Sequence, residues 1–258
     1  MPFLLNAQTT NDLITDSAAT STEIQPVIKH SENKIASSLK KYSPYIAPAA
    51  MFSFGLLANK NIQLQNLNRQ IRDEVLENDN RFHATPEDYL QYMPVQAVFA
   101  LNMVGVKSQN NFVDRAFLYA LSNTIMSQSV DKLKTTSRKL RPDGSDHRSF
   151  PSGHTATAFS AAEFMRLEYK DVSPVYGIAA YAVAATTGAL RIYHNNHWFS
   201  DVVAGAGIGI LSTDLSYFIY PRVKKFVTNT LRIKTNNLRL GPTYQSKTFG
   251  LALVYNPK

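Results

Sequence analysis

The run Phe150-Pro151-Ser152-Gly153-His154-Thr155, continued by ATAFSAAEFMRLEY over 156–169, decides the fold. Ser152 stands where a helix N-cap belongs, and the residues behind it are helix-compatible. The free amides of Gly153, His154 and Thr155 would point out of that helix start, a ready site for an anion. Gly153 lets an oxyanion approach the backbone closely, and His154 in the first turn offers an imidazole to the same anion. An ordinary capped helix with a surface histidine is the plainer reading of these residues.

Further helices flank this one. Upstream, Tyr42 to Ala58 is an apolar run with the length of a buried helix or a short spanning one. Ile62, Leu64, Leu67, Ile71, Val75 and Leu76 recur at helical spacing and predict an amphipathic helix. Thr85-Pro86-Glu87-Asp88 supplies an N-cap hydroxyl, a proline at N1 and first-turn acids, predicting a helix to about Val106 with a kink at Pro94. The next helix runs from about Asn111 to the basic stretch near Lys134, and two more occupy about 174–190 and 197–220. The run Gly205-Ala206-Gly207-Ile208-Gly209 lies inside an apolar helical stretch with no strand before it, so it predicts close helix packing and not a dinucleotide loop. The middle of the chain is all-α. In the tail, Leu231 to Leu240 and Thr243 to Tyr255 alternate around Gly241-Pro242 and predict two strands.

Composition limits the chemistry. Without cysteine, the 258 residues exclude disulfides, thiolate nucleophiles, iron–sulfur clusters and cysteine-ligated zinc. With 27 Lys and Arg against 19 Asp and Glu, the formal charge of +8 points to anionic partners: phosphate esters, nucleic acid or an acidic membrane surface. A hydrophobic fraction of 44% argues against disorder, yet the mean hydropathy of −0.20 is low for a chain made mostly of spanning helices. MPFLLNAQ at the start has the texture of the end of a truncated export signal or of a disordered N-terminus, and residues 9 to 33 read as a flexible leader.

Two more clusters carry charge. Lys134 and Arg141 stand seven positions apart, which on a helix puts them within about 20° of one another, two turns apart. Pro142-Asp143-Gly144 then breaks the helix. Such a basic face is equally a solvated surface. His197 and Asp201 stand four positions apart, so in a first turn they share a face, and the carboxylate can accept from one ring nitrogen. A structural contact satisfies the same spacing.

In order and spacing, Lys134-x6-Arg141-Pro142, then Pro151-Ser152-Gly153-His154, then Arg191-x5-His197-x3-Asp201 closely resembles the three-part signature of the type 2 phosphatidic acid phosphatase (PAP2) superfamily, which includes bacterial acid phosphatases and vanadium haloperoxidases. The resemblance covers about 134–201. Two departures stand out: only 143–150 separates Pro142 from Pro151, and Leu190 occupies the place of a serine.

The resemblance implies an all-α, PAP2-like bundle of about six helices with its site at one end, and the strand pattern adds a short C-terminal β-hairpin-like tail. With the composition of the start, the expected division is a leader over 1–35, a catalytic domain over 36–225 and a tail over 226–258. By the same resemblance, His197 attacks phosphorus and forms a phosphohistidine, Asp201 orients it, and His154 protonates the leaving group and then activates water. Lys134, Arg141, Ser152, Gly153 and Arg191 hold the phosphate oxygens. No metal or other cofactor is expected, vanadate entering only if the chain were a haloperoxidase. His30, His83, His147 and His194 are read as bystanders, the last two near the entrance. The expected partners are a phosphorylated lipid or other phosphate ester and a membrane, with no nucleic acid; a soluble acid phosphatase of broad specificity is the alternative. Lys40 and Lys41, with Arg222, Lys224 and Lys225, would flank the cytoplasmic side of a spanning version, placing the site in the periplasm of a bacterial envelope.

Overall fold

The computed structural model describes residues 42–77, 84–231, 238–245 and 248–255, with side chains described to residue 226. The leader, His30 and His83 lie outside the described residues. The chain divides into two compact units, Met1–Ile46 and Ala47–Lys258. Of the first, 42–46 are described and are helical.

The second unit holds eight helical elements among its described residues: α1 (47–58), α2 (Ile62–Leu76), α3 (Glu87–Leu90), α4 (Met93–Met103), α5 (Phe112–Ser137), α6 (Gly153–Tyr169), α7 (Pro174–Tyr193) and α8 (Phe199–Leu231). The single helix expected over 86–106 is two, α3 and α4. Pro94 has no N–H to give the Leu90 carbonyl and its ring crowds that carbonyl, so the first segment ends at Leu90 and Pro94 opens the second.

Helix α6 is the centre of the bundle and packs against α4, α5, α7 and α8. Ala156, Ala158, Ala161, Ala162 and Phe164 are fully buried, and the alanines keep the neighbouring helices close. The glycines of α8 perform the packing role read from the sequence. Gly205 and Gly209, four apart, face α6, where a Cβ at Gly205 would meet the Ser152 carbonyl at 2.6 Å and one at Gly209 would strike that of Ala156. Gly207 points the other way, and a Cβ there would sit 2.5 Å from the Pro48 carbonyl of α1.

Helix α8 runs through Pro221 to Leu231, so Leu231 is helical and not the start of a strand. Leu238–Gln245 (β1) and Thr248–Tyr255 (β2) pair antiparallel, from Leu238↔Tyr255 to Gln245↔Thr248. Gly241 and Pro242 fall within β1 instead of at the turn. A proline is tolerated there because a two-stranded ribbon leaves one side of each strand unpaired.

Candidate active site

Four helix ends meet at one end of the bundle. Ser152 caps α6, its Oγ accepting from the Thr155 amide at 3.4 Å and lying 2.8 Å from Thr155 Oγ1. The Ser152 amide donates to the Asp201 carbonyl at 3.0 Å, which fastens the start of α6 to the start of α8. The amide end of α6 is therefore set beside the residues leading into α8, with the partial positive charge an anion seeks.

Lys134, in the last turn of α5, is buried and reaches this helix start: a Cβ on Gly153 would lie 3.9 Å from its Cε. Its Nζ donates to the Arg148 carbonyl at 2.5 Å. Burial, followed by the repulsion of Arg141, pulls its ammonium down to about 8. Arg141 is not stacked on the same helix. Helix α5 ends at Ser137 because Arg138 takes a left-handed conformation at φ 44°, and Arg141 lies in the loop that follows. Its Nε donates to Asp146 Oδ1 at 2.9 Å and one terminal nitrogen to the Asn196 carbonyl at 3.3 Å. The short 143–150 loop is thus pinned by the two cations expected to bind phosphate.

His197 is 3% exposed and precedes α8 instead of lying in its first turn. The expected hydrogen bond to Asp201 is not formed: Nδ1 stands 3.9 Å from Oδ2 and has no partner. Asp201 is occupied elsewhere. Its Oδ1 accepts from Lys139 Nζ at 2.8 Å, and its Oδ2 from Ser149 Oγ at 2.5 Å and the Trp198 amide at 3.1 Å. Burial is the main reason the His197 imidazole falls to about 4; the Asp201 charge opposes this, and Lys134 and Arg191 add to it. The nucleophile candidate is a neutral imidazole at neutral pH, and both cations are within electrostatic reach of it.

Arg191, in the last turn of α7, is buried. It donates to Glu87 Oε1 at 3.1 Å, while its Nε is buried without a partner. His194, read as a bystander, places Nδ1 2.7 Å from the same Oε1. His154 places Nε2 2.8 Å from Asp88 Oδ1. Burial, then Arg191, pulls the His154 imidazole below its ordinary value against the pull of Asp88. His147 lines a cavity of about 540 Å³ with Lys134, Thr135, Arg138 and Arg148.

All eight expected site residues belong to this end of the bundle, with four groups that sequence reasoning missed, Glu87, Asp88, Lys139 and Ser149, and with His194, which was expected near the entrance. Glu87 and Asp88 were legible only as acids favouring a helix start, and nothing local ties them to partners 66 to 107 positions away. Among the described residues no group of three or more His, Asp or Glu is placed to hold a metal ion. A second cavity, about 660 Å³, adjoins the site where Lys139 and Phe150 line it with Leu56, Leu133, Leu140 and Trp198.

Residues 114–225 match the family model of the PAP2 superfamily. A lipid A 1-phosphatase of Porphyromonas gingivalis is 38% identical over 155 residues, 60% of this chain and 35% of that protein, so the chain spans about a third of the relative's length. Among solved structures, a transmembrane PAP2-type phosphatidylglycerolphosphate phosphatase from Bacillus subtilis shares the fold, with a TM-score of 0.50 and 19% identity over 70% of this chain and 98% of that one. Aquifex aeolicus LpxE gives a TM-score of 0.44 at 22% identity, over 59% of this chain and 93% of that one.

Proposed function

We infer that this chain, whose residues 114–225 match the model of the PAP2 superfamily, is a member of it and a metal-independent phosphatase that hydrolyses a phosphomonoester or pyrophosphate of a membrane lipid. One observation carries the reading: a buried, neutral His197 with an unpartnered Nδ1 stands within electrostatic reach of Lys134 and Arg191, beside the capped start of α6.

In the first step the His197 imidazole forms an N–P bond in line as the P–O bond to the leaving group breaks, and His154 gives that oxygen its proton. Water then attacks the phosphohistidine, His154 takes its proton, and the N–P bond breaks. Asp201 stabilises the imidazolium character that develops on His197. Lys134, Arg141 and Arg191, with the Ser152 hydroxyl and the Gly153 amide, compensate the charge on the equatorial oxygens, so side chains supply the cations that a metal supplies elsewhere.

The name of the Porphyromonas gingivalis relative supports a lipid phosphate as substrate. So does the 660 Å³ cavity beside Lys139, whose apolar wall suits a hydrocarbon chain and whose Lys60 and Arg69 suit an anionic head group. We assign 1–35 to a leader, 36–225 to the catalytic domain and 226–258 to a tail. Our reading assigns the chain to a bacterial cell envelope, in or on the membrane. Pro174–Tyr193 and Phe199–Phe226 are long and apolar enough to cross a bilayer. From Asp201 to Arg222 helix α8 rises about 32 Å, a length that supports our reading of a periplasmic site at its start and a basic cytoplasmic end.

The test is phosphate release with chelator present, from a micellar lipid phosphate and from a water-soluble ester, beside His197→Ala. Turnover favouring the lipid and abolished in the variant is expected. Equal turnover of the soluble ester would move the assignment to a broad acid phosphatase, and full activity of His197→Ala would overturn the mechanism.

A further inference from the structure

We propose that the one-turn helix α3 is a positioning element of the candidate site, its adjacent carboxylates Glu87 and Asp88 holding Arg191 and His154 respectively. This inference rests on the phosphatase reading and extends it to residues outside the three motif segments.

Neighbouring residues on a helix point about 100° apart, so a single turn can serve two elements, and α3 packs against both α6 and α7. Glu87 turns to the end of α7 and Asp88 to the start of α6. Glu87 is fully buried, where a carboxylate persists only when paired. Its pairing is lopsided: Oε1 takes both Arg191 at 3.1 Å and His194 at 2.7 Å, while Oε2 and Arg191 Nε are buried without partners. A pair serving stability alone would close as a two-pronged fork. This one holds the guanidinium by one nitrogen and leaves Nε uncommitted, as a phosphate-binding arginine requires.

Asp88 does the corresponding work for His154. Its Oδ1 lies 2.8 Å from Nε2, so Nδ1 is the ring atom left to exchange a proton with substrate. The charges facing His154 are Asp88 and Glu87 from α3 and Arg191 from α7; the arginine favours the neutral ring and the two carboxylates the charged one. By anchoring both partners, α3 sets the distance between the cation that binds the phosphate and the histidine that serves its leaving group.

The experiment uses the full chain with Asp88→Asn, Asp88→Glu and Glu87→Gln. Side-chain NMR of substrate-free protein should show the His154 titration moving down by about one pH unit in Asp88→Asn and returning in Asp88→Glu. The limb of the kcat profile that His154 controls should move to lower pH with it, whichever step is slow. Glu87→Gln should lower kcat/KM for a phosphate ester by about 10²-fold through a displaced Arg191. Because Glu87 is buried, that variant is read together with the Asp88 variants, whose half-exposed side chain leaves the fold intact. An unchanged His154 titration together with an unmoved limb in Asp88→Asn overturns the proposal. A wild type that releases no phosphate from any ester overturns the phosphatase reading instead, and the NMR titration still decides whether Asp88 holds His154.

Discussion

Nδ1 of His197 stands 3.9 Å from Oδ2 of Asp201, and no hydrogen bond joins them. Asp201 spends its lone pairs on Lys139, Ser149 and the Trp198 amide, which tie the loop after α5 to the start of α8. On the proposed function, the same carboxylate stabilises the charge that develops on His197 as it becomes bonded to phosphorus. In the resting protein the histidine is left neutral.

That neutrality has a stability consequence. The folded-state value of His197, about 4, lies below its ordinary 6.5, so the unfolded chain binds the extra proton first as pH falls. The contribution is fully present above pH 6.5 and is lost between there and about 4, amounting to about 3 kcal/mol. Denaturation midpoints measured from pH 7 to 4.5 should fall for the wild type and fall less for His197→Asn. Parallel curves for the two proteins would contradict this assignment.

Lys139 is the cation that Asp201 depends on, at 2.8 Å, with Ser200 Oγ a further 3.1 Å contact. Lys139→Met leaves a fully buried carboxylate without its counter-charge and should cost about 3 kcal/mol. Adding Asp201→Asn to that variant should recover much of the loss, because the amide needs no cation. Additive losses in the double-mutant cycle would show that the two residues do not interact.

Gly205 couples the packing of α8 to the site. A Cβ there meets the Ser152 carbonyl at 2.6 Å, and Ser152 is the cap whose amide end is proposed to hold phosphate. Gly205→Ala should destabilise the fold by about 1–3 kcal/mol and lower kcat beyond what the unfolded fraction explains. A variant as stable and active as the wild type would show that α8 can move aside without shifting α6.

Lys134 should set an alkaline limit. Burial, with Arg141 second, brings its ammonium down to about 8, so below that pH the free protein offers a cation and above it a neutral amine. On the proposed function, kcat/KM should decline above about pH 8. Lys134→Arg, whose guanidinium stays charged, should lose activity overall through altered geometry yet lose that decline. Persistence of the same limb in the arginine variant would assign it to another group.

The helices and the three motif segments are legible from local signals alone. Ser152 and Gly153 declare a helix start, and the alternating small residues of α8 declare close packing, because capping and side-chain size act over a few residues. For the same reason the split at Pro94 was readable as a kink but not as the end of one helix and the start of another.

What the sequence determined by itself is the all-α core, the order and spacing of the residues that resemble the PAP2 signature, and the chemistry those side chains can offer. Tertiary structure decided which of them touch. It took Arg141 off the helix of Lys134, gave Asp201 to Lys139 and Ser149 instead of His197, and brought Glu87 and Asp88 to Arg191, His194 and His154 across 66 to 107 positions. Hydrogen bonds and ion pairs of that span are set by how helices pack, and competition among several donors for one buried carboxylate is settled only where all of them are present in space.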